Sequence, residues 1–485
     1  MIQHHCKRAL LLAVIVGSLL RAVPPARADG DPEYTVQPGD TLYSIAIRHS
    51  VTLTGIVNAN RIIDQDLIWV GQRLRIPQAV VGENDGSTRS VNDTATSTQR
   101  AGASSILRQS VAAFLEQPFI QDDSNGMVFY SYTPVASGQT QLHWFQETRN
   151  HGHENLASLA YASLGRCAEA QGMLRAFFRN QNYDGGYAYI VTPGSGPSKI
   201  TRGNVTLPVL AWQSWHIYQQ CGDGEFLREA LESGARNDEW WWTRSNRRDW
   251  ERCQGLFYWN ELWETVRDDA DLPTWTLTGG PQYQCAVDLN SYLVANDRAL
   301  SAMAQELADP RASLFQSRAI ELSTLMNNLM WDEKDNFFYG VSRRGGLVPV
   351  KDIGGLLTLY ANVPNASQAA AMVSEHLGPD GGFHTGFGLP TLSQFELGYG
   401  SANRWKGGMW PSLTLLVVKG LADYGYLSEA QRIVGPLVNH VTTKSGGYWE
   451  FYDSQTGLPS HARNYIWAAT VLPMSEFAGL LSHSY

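Results

Sequence analysis

The chain has 485 residues, of which 43% are hydrophobic and only 17% charged. That balance excludes wholesale disorder, and at roughly 150 residues per domain the length allows about two or three domains. With 37 Lys and Arg against 46 Asp and Glu, the net charge is -9, which gives no overall electrostatic case for binding nucleic acid.

Residues 1–28 are predicted to be a secretory signal peptide. His4, Lys7 and Arg8 make a polar, basic start, Ala9 to Leu20 an apolar run, and Ala26-Arg27-Ala28 a small-x-small cleavage site. The run is too short to span a bilayer, and no later stretch reaches about 20 apolar residues. The product is therefore expected to be secreted, extracellular or periplasmic, with no membrane span. Cleavage would leave Cys167, Cys221, Cys253 and Cys285 in an oxidising compartment. Three pairings are open, and Cys253–Cys285 is the expected one.

Residues 29–77 read as one small unit. Tyr34-Thr35-Val36 is a β-rich run, Gln37-Pro38-Gly39-Asp40 is turn chemistry, and Thr41 is an N-cap before Leu42, Ile45 and Ala46. A second short helix is predicted around Leu53 to Ala59, and Arg73-Leu74-Arg75-Ile76-Pro77 closes as a strand. This β-α-α-β order, with YTVQPGDTLYSIA and LIWVGQRLRIP, resembles a LysM module. The resemblance implies binding of peptidoglycan or chitin, with Gly39, Asp40, Thr41 and Leu42 on one side of the groove and Ile63 to Leu67 on the other. Residues 78–103 are rich in Ser, Thr, Asn, Gly and Ala, and are expected to be a flexible linker.

From 104 to 485 the apolar periodicity is helical. Leu289, Tyr292, Leu293, Leu300, Met303 and Leu307 fall on one stripe, and Phe315, Ala319, Leu322, Met326 and Leu329 on the next. Gly-Gly pairs mark the loops between, and no strand alternation is evident. Paired helices with long aromatic loops predict an α/α toroid, whose loops at one end build a pocket. His151-Gly152-His153-Glu154 reads as a polar loop rim, and no metal site is expected.

Two segments place carboxylates among aromatic residues: Phe257-Tyr258-Trp259-Asn260-Glu261-Leu262-Trp263-Glu264, running on to Asp271, and Tyr448-Trp449-Glu450-Phe451-Tyr452-Asp453. Apolar walls and like-charged neighbours raise a carboxyl pKa and suit it to general acid work. With SKITRGNVTLPVLAWQSWHIY, VDLNSYLVANDRALSAMAQEL, LMWDEKDNFFYG, ANRWKGGMWPS and NYIWAATVL, these segments resemble the clan of (α/α)6-barrel glycoside hydrolases. That clan includes family 63, trehalases and mannosylglycerate-type hydrolases.

The resemblance implies an inverting α-glycosidase acting on an α-glucoside, trehalose or a glycerate-linked sugar, with no cofactor. Asp268 then matches the general acid, which follows a Glu-Ser-Gly run that here reads Glu264-Thr265-Val266, with Arg267 between. Two extra residues before Pro273 keep Asp269 and Asp271 as rivals. Glu450 matches the general base. Trp405, Lys406 and Trp410 match the loop lining the sugar pocket, with Lys406 standing where Arg is usual. Trp259, Glu264 and Trp449 join them as expected substrate-binding residues. The alternatives are a noncatalytic glycan-binding wall protein on the same barrel, or another α/α-toroid polysaccharide-degrading enzyme such as a lyase.

Overall fold

A computed structural model describes residues 32–36, 45, 49, 56, 59–60, 62, 68, 71–77, 92–116, 119–122, 126–130, 135–136, 150–151, 154–191, 205–269, 271–443 and 446–481. In the N-terminal unit, strand β1 (Glu33–Thr35) pairs antiparallel with β2 (Arg73–Arg75). Val36, Ile45, Ile56, Leu74 and Ile76 bury their side chains together beneath this ladder. Asn60 clasps the second strand by bonding both the N–H and the carbonyl of Arg75. Gly39, Asp40, Thr41, Leu42 and residues 63–67 lie outside the described residues, as do 1–28, expected to be a signal peptide, and 78–91.

Helix α1 spans Asn92–Leu115, so the expected linker is helical over its last dozen residues. Leu107, Val111 and Leu115 anchor the C-terminal half of α1 in the core. Extending a helix from an anchored turn costs little per residue, and Ala, Gln and Arg are good helix formers. Weak apolar patterning in 92–103 therefore did not preclude a helix.

The remaining helices come in inner and outer pairs. In chain order they are α2 (Ser158–Ser163), α3 (Cys167–Arg179), α4 (Leu210–Cys221), α5 (Gly224–Glu239), the short α6 (Pro273–Thr278), α7 (Val287–Glu306), α8 (Ala312–Leu329), α9 (Ile353–Tyr360), α10 (Ala366–Met372), α11 (Pro411–Asp423), α12 (Leu427–Thr442) and α13 (Val471–Phe477). Side-chain patterning sorts them. Every residue of α9 and α13 is buried, and nearly every residue of α11, as expected of a helix covered all round. In contrast, α8 buries only Phe315, Ala319, Leu322 and Met326 along one stripe.

Packing closes a ring. Helix α2 contacts α4, α4 contacts α7, α7 contacts α9, α9 contacts α11, α11 contacts α13, and α13 returns to α2. Six inner helices surrounded by α1, α3, α5, α8, α10 and α12 make an (α/α)6 barrel. Close approach inside the ring depends on Gly420, where an added Cβ would lie 2.4 Å from the backbone of Leu359 and Tyr360. The ring is clasped where it closes. Glu476 on α13 accepts hydrogen bonds from Arg108 on α1 and from Ser163 on α2, each at 2.7 Å.

Disulfides join Cys167 to Cys221, tying the start of α3 to the end of α4, and Cys253 to Cys285 just ahead of α7. Short antiparallel ladders decorate the loops. The one that matters for the site has the order β4 (Trp449–Tyr452), β5 (Pro459–Arg463), β3 (Val135–Ala136). Ladders this short carry no readable alternation in sequence. Among the described residues no helix is long and apolar enough to cross a membrane.

Candidate active site

Each outer helix turns the chain back, so the inner helices all run in the same direction. The loops before α7, α11 and α13 therefore meet at one end of the ring, and these loops carry Asp268, Trp405 and Glu450. The first is set on a buried ionic platform. Arg267 donates to Asp288 in the first turn of α7 and to Asp352, the N-cap of α9, both at 2.7 Å. Trp259 Nε1 and Thr274 Oγ1 donate to the same two carboxylates. Burial alone would pull the Arg267 pKa down, but Asp352 and Asp288 more than offset this and push it up. The residue next to this platform is Asp268.

Asp268 is held but not enclosed. Its Oδ1 accepts from Trp405 Nε1 at 2.9 Å and from Arg404 Nη2 at 3.2 Å, while the side chain remains 25% exposed. Asp269 accepts from the Trp405 backbone N–H at 3.2 Å, and burial raises its pKa against the pull of Arg404. Asp271 points outward in an ion pair with Lys406, which lowers its pKa.

A stack of rings leads from Asp268 to Glu450. Trp405 lies on Trp410 with centroids 3.4 Å apart, and Trp410 stacks on Phe451 at 4.7 Å. Trp467, edge-on to Trp410, donates its Nε1 to the Glu450 carbonyl at 2.7 Å. Within the connection before α13, Glu450 sits on strand β4, its carboxylate nearly buried. Its Oε2 is paired with His461 Nδ1 on β5. The hydrogen bond to Glu450 raises the His461 pKa above its ordinary value in spite of burial; Asp268 adds to the rise and Arg404 opposes it. The field at His461 thus registers both candidate carboxylates.

Backbone strain concentrates around the same groups. Val266, Arg404, His461 and Asn464 all have positive φ, at 66°, 38°, 64° and 60°. Such conformations cost of order 1–3 kcal/mol each and persist where the surroundings enforce them, often at active sites. Val266 is the most telling, because a β-branched side chain occupies a left-handed turn.

The other expected contact residues divide. Trp449 is partly exposed, with the Arg463 guanidinium 5.9 Å from its ring. Trp405 and Trp410 are almost wholly buried and build the stack instead of lining its surface. Trp259 is fully buried under the Arg267 platform. Glu264 has no capacity left for a ligand. It takes both guanidinium arms of Arg247 at 2.7 Å and, on the same Oε2, the N–H groups of Asn260 and Glu261, and it is wholly buried. Burial raises its pKa and Arg247 partly counters that. Trp259 and Glu264 therefore support the site from below.

Arg404 and His461 are the additions. Arg404 stands one residue before Trp405, a basic residue in a tryptophan-rich loop, whereas the family resemblance puts Lys406 at the place where Arg is usual. His461 had no sequence signal, because only the pairing of β4 with β5 brings it to Glu450. Asp249, Cys253 and Cys285 form the one three-residue grouping with metal-type ligand atoms among the described residues, but its two thiols are spent in the disulfide. Gly152, His153 and the side chains of His151 and Glu154 lie outside the described residues.

Residues 143–468 match the family model of the mannosylglycerate hydrolase MGH1-like glycoside hydrolase domain. The chain belongs to this family. Residues 34–77 match the LysM domain. A mannosylglycerate hydrolase of Rubrobacter radiotolerans is 28% identical over 186 residues, which cover 38% of this chain and 41% of that protein. The matching stretch thus spans well under half the length of that curated relative. The family-63 mannosylglycerate hydrolase from Thermus thermophilus, solved with glucose, has a similar fold. It gives a TM-score of 0.62 at 17% identity, covering 76% of this chain and 99% of that one. Neutral trehalase Nth1 from Saccharomyces cerevisiae superposes with a TM-score of 0.54 at 16% identity, covering 70% of this chain and 75% of its own. Both likenesses support the six-hairpin barrel.

Proposed function

We propose that the protein is a secreted inverting α-glycosidase tethered to cell-wall glycan through its LysM module. The observation that carries this reading is the meeting of Asp268 and Glu450, from loops far apart in sequence, at the two ends of one aromatic stack. Inversion needs an acid to protonate the leaving oxygen and a base on the opposite face to activate water, with the carboxyls about 6.5–9.5 Å apart. Asp268 is assigned the first role, since its Oδ2 has no hydrogen-bond partner among the described residues. Glu450 is assigned the second, since His461 holds its Oε2 and leaves Oε1 for the water.

A substrate of the mannosylglycerate, trehalose or α-glucoside type follows from the relatives. Incubating the full chain with each, and following the first-formed sugars by proton NMR, should reveal the β-anomer before mutarotation, alone at the transferred sugar of mannosylglycerate or an α-glucoside and in equal amount with α-glucose from trehalose, whose leaving glucose is itself α. First-formed sugar that is α alone would rule out inversion. Absence of turnover on all three, with glycan binding intact, would favour the noncatalytic wall-protein reading.

The LysM module is assigned to N-acetylglucosamine-containing glycan, either peptidoglycan or chitin. Sedimentation with insoluble peptidoglycan or chitin should therefore carry the full chain down and leave a variant lacking residues 29–91 in the supernatant. Equal co-sedimentation of the two would move glycan binding to the barrel.

A further inference from the structure

The ladder between β4 and β5 slips at one place. Trp449 pairs with Arg463, but Phe451 pairs with Ser460, so β5 spends one more residue than β4 over that interval. His461 lies within this bulge. A bulge re-aims the side chain it carries, and its left-handed member is ordinarily glycine. Here the left-handed residue is His461 itself, with φ of 64°. The conformation turns its ring onto Oε2 of Glu450. Apart from a loose stacking of the ring on Phe451, with centroids 6.4 Å apart, the contact with Glu450 is what offsets the cost of the conformation.

We infer that His461 is a positioning residue for Glu450: it ties down Oε2 so that Oε1 meets the attacking water. This inference rests on the proposed role of Glu450 as base. The charged groups facing His461 are Glu450 across the sheet, and Arg404 and Asp268 from the two neighbouring loops. Glu450 raises the pKa of His461, and Asp268 acts in the same direction. The ring therefore keeps its charge to higher pH than a free histidine. Below the raised value the contact is an ion pair between the charged ring and the carboxylate, and as pH rises through that value it becomes a hydrogen bond from a neutral ring to the carboxylate.

Two substitutions separate positioning from folding. His461→Gly removes the ring and suits the left-handed backbone. His461→Asn also tolerates that backbone, and it keeps an N–H at the same number of bonds from Cα as Nδ1. With α-mannosylglycerate as probe, His461→Gly should lower kcat by roughly 10–100-fold with KM little changed, the scale of a misplaced catalytic group. His461→Asn should recover most of that loss.

In the full chain with 15N-labelled histidine, the His461 resonance should titrate above the ordinary range and drop in Glu450→Gln; this readout does not depend on turnover. A His461→Gly enzyme with parental kcat, beside a dead Glu450→Gln, would overturn the positioning role and leave the base assignment standing. A His461 midpoint that ignores Glu450→Gln would also overturn it. A fully active Glu450→Gln would remove both.

Discussion

Glu450→Gln and Asp268→Asn should each lower turnover by roughly 10²–10⁴-fold, the usual contribution of a positioned base or acid. Neither change should unfold the chain. Glu450 is anchored through its backbone, by the ladder and by the Trp467 indole. Asp268 is partly exposed beside a platform that is complete without it. The two losses should differ in kind. An aryl glycoside with a good leaving group needs little protonation, so it should restore rate to Asp268→Asn far more than to Glu450→Gln. Asp269 is the rival, because burial favours its protonated form. A dead Asp269→Asn enzyme beside an active Asp268→Asn one would move the acid by one residue and leave the mechanism standing. Full activity in all three variants would end the two-carboxylate mechanism for this protein.

The largest stability effect should come from Arg267→Met. The side chains are similar in length, so packing is roughly kept while the charge between Asp288 and Asp352 is lost. Removing one partner of a buried ion pair typically costs about 3–5 kcal/mol, and here a single guanidinium serves two carboxylates. Left facing one another without a countercharge, those carboxylates take up a proton on folding. A folded state that binds more protons than the unfolded one loses stability as pH rises. Denaturant melts should therefore show a smaller deficit against the parent near about pH 5 than near about pH 8. Equal deficits at the two pH values would mean that Arg267 acts through packing alone. The variant should also lose activity where it is still folded, because the adjacent Asp268 is aimed from this platform.

The helical barrel was legible because its signals are local and periodic. The stripe through Phe315, Ala319, Leu322 and Met326 is the face that α8 buries, and the stripe from Leu289 to Met303 lies on α7. What periodicity does not give is the ring, since any set of amphipathic hairpins reads alike until the all-round burial of α9 and α13 marks them as inner helices. The aromatic segments around Trp259 and Glu450 stood out by composition, but composition cannot separate a wall from a foundation. Glu264 and Trp259 looked like contact residues because they keep company with carboxylates and indoles. Their partners, Arg247 and Asp288, lie elsewhere in the chain. His461 was invisible for a related reason: its side chain is aimed by a one-residue slip in a ladder, which leaves no mark in the order of letters.

The closure of the ring has a consequence for how the protein comes into being. Arg108 and Glu476, which clasp α1 to α13, are 368 residues apart, and contacts of such long range form slowly. A chain emerging from its N-terminus can build hairpin after hairpin, each on the last, but α2 keeps an open flank until α13 arrives. The segment bearing Glu450 and His461 comes with that final hairpin. Until then Asp268 and its platform stand opposite nothing, so a partly made or C-terminally clipped chain would hold only one of the two carboxylates proposed to act together. The proposed pair is assembled in one step, at the moment the circle is completed.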